Sequence, residues 1–176
     1  VAYFSVRYSY ADWIVRLWLE QYGPEKTEEL LAAGNETPAL SIRVNTLKTE
    51  PEELRLGLEK KGYQVSNGKL SERVLFVKGS GILETEEYRA GLFSIQDESS
   101  VLAAETVDAR SGDTVFDICA APGGKSLAMA EMMGNNGLIR SFDIYEHKLS
   151  LLQEEAQRLG ITIIETDIND GLKQRE

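Results

Sequence analysis

The stretch Val115 to Lys125, Val-Phe-Asp-Ile-Cys-Ala-Ala-Pro-Gly-Gly-Lys, limits what this chain can fold into more than any other. Val115, Phe116 and Ile118 favour a buried strand, and Pro122, Gly123 and Gly124 break it. The pattern predicts a helix over 126–133. Two consecutive glycines leave room for a ligand against the main chain, and the free N–H groups of a helix start face that ligand. The loop is not the dinucleotide fingerprint Gly-x-Gly-x-x-Gly, and it lacks the first glycine of the phosphate loop that ends in Gly-Lys. A nucleotide-type cofactor loop and an ordinary strand-to-helix turn both remain open from these residues alone.

Alternation sets the rest. Before the loop, Leu40, Ile42 and Val44 alternate with Ser41, Arg43 and Asn45, which predicts a half-buried strand with one wet face. Thr49 and Glu52 read as the cap of a helix carrying Leu54 and Leu58 that closes at Gly62. Strands follow at 63–65 and 74–77, with a turn at Asn67-Gly68, then a short helix at 85–90 and a strand at 92–96. That order, β-α-β-β-α-β, is a split βαβ unit, an arrangement also used by RNA-recognition modules, although their aromatic signature is absent. Upstream, Ser9 with Asp12 reads as a helix start, with Ile14, Leu17 and Trp18 on one face. Gly23 ends that helix, and Pro24 opens a second that ends near Gly34. Trp13 and Trp18 have rings that could stack on bases, but at helical spacing they read as core residues.

Downstream of the first strand the alternation is βα. A helix is expected over 97–107 with Val101, Leu102 and Val107 inward. The cofactor strand spans 114–120, a second strand 138–144, a helix 147–159 capped by Gly160, and a third strand runs from 161 to its end at Asp167. This implies a parallel, doubly wound sheet whose ligands sit at the strands' C-terminal ends. Asp143 lies 20 residues after Gly123, where an acidic side chain in such folds accepts hydrogen bonds from ribose hydroxyls. The expected domains are a helical segment over 1–38, a ferredoxin-like α+β subdomain of RNA-binding type over 39–96, and a partial Rossmann-like domain over 97–176.

The 176 residues carry a net charge of −10. That suits a cationic cofactor better than a pyrophosphate and sits badly with RNA, whose phosphates call for Lys and Arg. Residues 1–90 carry net −2 and residues 91–176 net −8, so an RNA face belongs on the N-terminal half. No apolar run is long enough for a membrane span and no signal peptide is visible, which places the chain in the cytoplasm. Cys119 is the single cysteine and His147 the single histidine, so neither an internal disulfide nor a metal site is expected.

Asp-Ile-Cys-Ala-Ala-Pro-Gly-Gly-Lys closely resembles the cofactor motif of the Sun/NOL1/NOP2 family of RNA cytosine-C5 methyltransferases, and most nearly its bacterial small-subunit ribosomal RNA methyltransferase B branch. Ser41-Ile-Arg-Val-Asn-Thr-Leu-Lys48 and Phe93-Ser-Ile-Gln-Asp-Glu-Ser-Ser100 resemble the family in the expected order. The resemblance implies S-adenosylmethionine as cofactor and ribosomal RNA as partner. It implies cofactor binding by Cys119, Ala120, Ala121, Pro122, Gly123, Gly124, Lys125, Asp143 and Asp167, with Arg43, Asn45 and Lys48 facing RNA. Cys119 reads as a small buried residue lining the cofactor site. The family's nucleophile comes from a later Asp-Ala-Pro-Cys motif, which the 176 residues do not contain. No catalytic residue is therefore assigned within the chain, and the nucleophilic cysteine is expected beyond Glu176. With no initial methionine, the chain reads as a fragment that is inactive alone. The family's sheet order would leave the strand at 114–120 as an apolar edge open to self-association. The competing readings are a non-catalytic RNA- or cofactor-binding module and a Rossmann-like methyltransferase of another substrate.

Overall fold

The computed structural model describes residues 1–36 and 39–170. Glu176, beyond which the nucleophilic cysteine is expected, lies outside the described residues. The chain forms two compact units, 1–38 and 39–176. In the first, α1 (Ala2–Tyr8) ends on Ser9 in the left-handed region, and α2 (Asp12–Ala33) follows. The expected break is present: Gly23 sits at φ 75° and ψ 173°, with Pro24 after it. Ser9 does not cap the following helix; it terminates an unforeseen α1, and Ala11 precedes α2 without a side-chain cap bond. Trp18 packs against Tyr10 at 5.7 Å. Trp13 is 68% exposed, so helical spacing misassigned it to the core.

The second unit begins with an antiparallel sheet built from β1 (Leu40–Val44), β2 (Gln64–Asn67), β3 (Val74–Lys78) and β4 (Phe93–Ile95) in the order β2-β3-β1-β4. This is the ferredoxin-like order. Helix α3 (Pro51–Lys60) buries Leu54 and Leu58 against Ile42, Val44, Leu75, Val77 and Phe93. Pro51 occupies the helix start, so Thr49 does not cap it, and the Thr49 hydroxyl instead donates to Glu53 at 3.1 Å. Helix α4 (Glu86–Arg89) is capped by Thr85, whose hydroxyl accepts from Tyr88 N–H at 3.3 Å.

The parallel half consists of β5 (Thr114–Asp117), β6 (Leu138–Asp143) and β7 (Ile164–Ile168) in the order β5-β6-β7, with α5 (Glu98–Glu105), α6 (Gly124–Met132) and α7 (Glu146–Leu159). Its core joins Leu127, Ala128, Ala130 and Met133 of the α6 region to Ile139, Ala156 and Leu159, with Val115 and Ile164 packed against them. Asp97 caps α5 by accepting from Ser99 N–H at 2.8 Å, but Val107 lies beyond the helix and is 52% exposed rather than inward. Strand β7 starts at Ile164, later than expected, and runs through Asp167. Strand β5 ends at Asp117, short of the expected 120, and among the described strands it and β7 are the two edges of this sheet. Phe116 of β5 and Ile118 just after it are 59% and 60% exposed, while Val115 is turned into the core.

Candidate functional site

Both ends of the glycine loop are tied down by side chains. At the end of β5 the Asp117 carboxylate accepts from the Ser126 hydroxyl of α6 at 2.7 Å and from Cys119 N–H at 3.4 Å. Ser126 is fully buried, and its hydroxyl also lies 2.9 Å from that of Ser141 on β6. The strand end, the helix start and the neighbouring strand therefore share one short polar chain. Gly123 sits at φ 108°, and a Cβ there would lie 2.5 Å from Leu152 Cγ. Glycine is thus required twice, by backbone conformation and by the approach of α7. The first turn of α6 has no side-chain cap, so its N–H groups are available to an anionic group.

Asp143 ends β6 beside this loop. One carboxylate oxygen accepts from Ala121 N–H at 3.3 Å and the other from Tyr145 N–H at 3.1 Å. Each oxygen keeps a further lone pair. Asp167 is exposed on β7, in register with Phe142. Ala120 and Gly123 are buried, Ala121 and Gly124 half-buried, and Pro122 exposed. Lys125 is exposed and lines a 310 Å³ hollow with Asp117, Phe116, Ile118 and Cys119 on the flank of β5. Cys119 is exposed, which corrects the expectation of a buried thiol: the edge position of β5 leaves its flank uncovered. The catalytic nucleophile expected beyond Glu176 has no counterpart among the described residues, where Cys119 is the only thiol.

The three residues assigned to RNA are engaged within the fold. Arg43 is 1% exposed. Its guanidinium donates to both Glu131 oxygens at 2.9 and 2.8 Å, to Gly124 O at 2.9 Å, and to Gln96 Oε1. It grips α6 at both ends. Asn45 is fully buried and donates to Gly91 O at 2.8 Å and Leu159 O at 3.0 Å. Lys48 is exposed, but its ammonium donates to Ala90 O at 2.7 Å and Arg158 O at 2.9 Å. Partial burial, with Arg158 nearby, holds that ammonium below the usual lysine range. Asn45 and Lys48 thereby satisfy carbonyls at the C-terminal end of α7, where a helix leaves acceptors unpaired and favours a cation. The polar face of β1 was read as wet, yet Ser41, Arg43 and Asn45 are all buried, Arg43 bonded to α6 and Asn45 to the end of α7.

Other charges complete the joint. Arg158 donates to Phe93 O at 3.0 Å and to Tyr88 O, and its guanidinium lies 3.9 Å from the centre of the Tyr88 ring. Burial pushes the Glu155 carboxyl up, but bonds from Arg158 and Ser94 more than reverse this and leave it below the usual carboxylate range. Burial raises Glu131 above that range, because the pull of Arg43 offsets only part of the desolvation. Glu98 accepts from Leu70 N–H at 2.8 Å and Ser71 N–H at 3.1 Å, and these bonds, Leu70's first, hold its carboxyl low.

Asp117, Ser126, Gln96 and Glu131 were not singled out by the sequence reading. Glu131 carried a signal, as the one charge in the apolar run Leu127 to Met133. Such a charge, when buried, requires a partner. Asp117 ends a strand before the glycine loop as Asp143 ends the next.

A glycine-broken loop at the C-terminal end of a parallel sheet, with an acidic residue closing the adjacent strand, defines a Rossmann-like α/β protein. Comparison with known proteins narrows this. The family described as 16S rRNA methyltransferase RsmB/F matches residues 104–174, and the ferredoxin-like domain of RsmF/B-like methyltransferases matches residues 10–82. The chain is 39% identical to a probable ribosomal RNA small subunit methyltransferase B of Bacillus subtilis, over 96% of this chain and 38% of that protein. It is 31% identical to a human 28S rRNA (cytosine(4447)-C(5))-methyltransferase, over 90% of this chain and 20% of that one. A solved methyltransferase homologue from Pyrococcus horikoshii superposes with a TM-score of 0.84 at 29% identity, covering 93% of this chain and 54% of its own. The chain belongs to the RsmB/F methyltransferase family, and it spans well under half the length of these two curated relatives.

Proposed function

We propose that this chain is the cofactor-holding part of an enzyme that methylates cytosine C5 in ribosomal RNA in the cytoplasm, and that S-adenosylmethionine binds between the loop 119–125 and Asp143. The observation that carries this reading is the Asp143 carboxylate. It is fixed beside the glycine loop by two backbone N–H groups and keeps lone pairs for two ribose hydroxyls.

The residues present fit the cofactor. Asp117, Asp143 and Asp167 lie at or near the C-terminal ends of the three parallel strands, a negative field that suits a sulfonium and opposes a pyrophosphate. When bound, the cofactor supplies a methyl group made electrophilic by its positive sulfur. The first-turn N–H groups of α6 would take its carboxylate, Gly123 and Gly124 would allow close approach, and Asp143 would orient the ribose. Cytosine C5 needs a thiolate added at C6 before it can accept a methyl group. Cys119 is bound into the loop by its own N–H and is assigned to lining the cofactor, while the family resemblance places the nucleophile in an Asp-Ala-Pro-Cys motif beyond Glu176.

Isothermal titration of the 176-residue chain with S-adenosylmethionine tests this. Weak, saturable binding is expected, and Asp143→Ala should weaken it roughly ten- to a hundredfold, the loss of hydrogen bonds to a charged acceptor. A tritium-methyl assay on unmodified ribosomal RNA should give no transfer. No binding at millimolar cofactor would sink the cofactor reading, and robust methylation would sink the assignment of Cys119.

A further inference from the structure

With Arg43 and Asn45 buried and the Lys48 ammonium bonded to two carbonyls, the RNA expected of this family has no open face on those residues. The same side of the sheet offers another. On β2 and β3 that side carries a hollow of 380 Å³ lined by Gln64, Ser66, Lys69, Phe76 and Lys78, with Ala39 and Val65. We propose that this hollow docks single-stranded RNA, with one base stacked on the Phe76 ring and flanking phosphates held by Lys78 and Lys69. The proposal rests on the reading that RNA is the substrate.

Cross-strand register explains why the ring is available. Phe76 on β3 stands opposite Ser41 on β1 and Ser66 on β2. Both neighbours are too short to cover an aromatic face, and the ring is half-buried rather than enclosed. A base can stack there whatever its identity, because every base has a π-face. Lys78 is two residues on, on the same side of β3 and opposite Gln64, and both are exposed. Lys69, also exposed, comes from the turn between β2 and β3.

Charge selects the occupant. The chain carries −10 overall, yet among the described residues lining this hollow there are two lysines and no carboxylate. The acid nearby lies beyond Lys69, in a separate hollow lined by Glu50, Glu52 and Glu72. A polyanion is therefore guided along the line from Lys69 over Phe76 to Lys78 and repelled from the far side of Lys69. Gln64 and Ser66 add neutral donors and acceptors within reach of sugar or base edges. An acidic peptide would use the lysines but not the ring's flat face, and duplex RNA would present no unstacked base to it.

The test is fluorescence anisotropy of a labelled twelve-nucleotide single-stranded RNA against the intact 176-residue chain, with salt titration. Lys78→Glu and Lys69→Glu, both exposed, should each weaken binding several-fold and lower the salt slope by about one counterion. Phe76→Leu should cost about tenfold while Phe76→Tyr binds like the parent, since stacking needs an aromatic plane. Circular-dichroism melts confirm that each variant folds, and if Phe76→Leu does not, the lysine variants and Phe76→Tyr still decide. Affinity unchanged by both lysine reversals would overturn the proposal. So would Phe76→Leu binding as well as Phe76→Tyr, equal affinity for duplex RNA, preference for an acidic peptide, or no binding by the parent. Cofactor titration of the same variants should be unchanged, so a failure of the cofactor reading is seen separately, in the parent chain.

Discussion

Replacing Arg43 by Met should be the most damaging single change among the polar residues of this chain. Its side chain is fully buried against Glu131, whose own side chain is 1% exposed. Met keeps the aliphatic stem but leaves the Glu131 carboxylate unpaired, Gly124 O without its 2.9 Å donor from Arg43, and Gln96 Oε1 without the Arg43 donor. Breaking a buried pair by removing one member costs about 3–5 kcal/mol, which for a chain of this size lowers Tm by roughly 6–20 °C. Replacing both members, Arg43→Met with Glu131→Leu, should recover most of that loss, since an apolar pair of similar volume is about neutral against a buried ion pair. It should not recover cofactor affinity, because Gly124 O still lacks the Arg43 donor and the start of α6 loses its anchor to β1. The assay needs care with the probe. Trp13 and Trp18 are the only tryptophans and both lie in the unit 1–38, so urea melts must be followed by far-ultraviolet circular dichroism rather than tryptophan emission. A loss below about 1 kcal/mol for Arg43→Met, or a double variant no more stable than the single one, would refute the reasoning.

Gly123→Ala forces a Cβ to within 2.5 Å of Leu152 at φ 108°. It should cost about 1–3 kcal/mol from backbone strain alone and weaken cofactor binding, with Leu152→Ala in the same chain relieving part of the stability loss in thermal melts. Asn45→Ala should speed hydrogen exchange at the C-terminal turn of α7 and around Leu92, because two buried carbonyls lose their donor at about 1–3 kcal/mol each; protection equal to that of the parent would count against it. Glu98 has a folded pKa below its unfolded value of about 4.3. Its stabilisation is therefore full above that value and is lost as pH falls through the folded one. The Tm gap between the parent and Glu98→Gln should be widest at neutral pH and close in acid, and a gap independent of pH would contradict the assignment.

The sheet of each half was legible because its signals are local. Alternation at Leu40, Ile42 and Val44 and the turns at Gly62 and Gly160 report on neighbouring residues, and β1, α3 and α7 fall within a residue or two of their expected positions. The misses have non-local or competing causes. Ser9 can cap a helix or end one, and only the path of the chain chooses. Ile161 is as apolar as any strand residue, but it packs beneath α7 before β7 starts at Ile164. Val107 and Trp13 carry the right spacing for burial, and nothing in their own segments records which side of the helix is left open.

The glycine loop and Asp143 were legible for the same local reason, whereas the polar face of β1 was not, and the difference is one of physics. Alternation identifies a strand with two unlike faces; it does not say what lies against the polar one. A polar side chain is worth as much to a fold when it meets a helix end as when it meets water, provided every donor finds an acceptor. Arg43, Asn45 and Lys48 each do so, on Glu131 and Gly124 O, on Leu159 O, and on Arg158 O. What separates such a residue from a solvent-facing one in sequence is a complementary oddity elsewhere: an acid in the apolar helix run at Glu131, or the glycines at 124 and 160 that leave no side chain over the helix termini. Read together, Arg43 and Glu131 form one feature 88 residues apart. The ferredoxin-like sheet therefore contributes to the proposed cofactor site by fixing both ends of α6, and a change that loosens β1 should be felt at the glycine loop before it is felt at the proposed RNA surface.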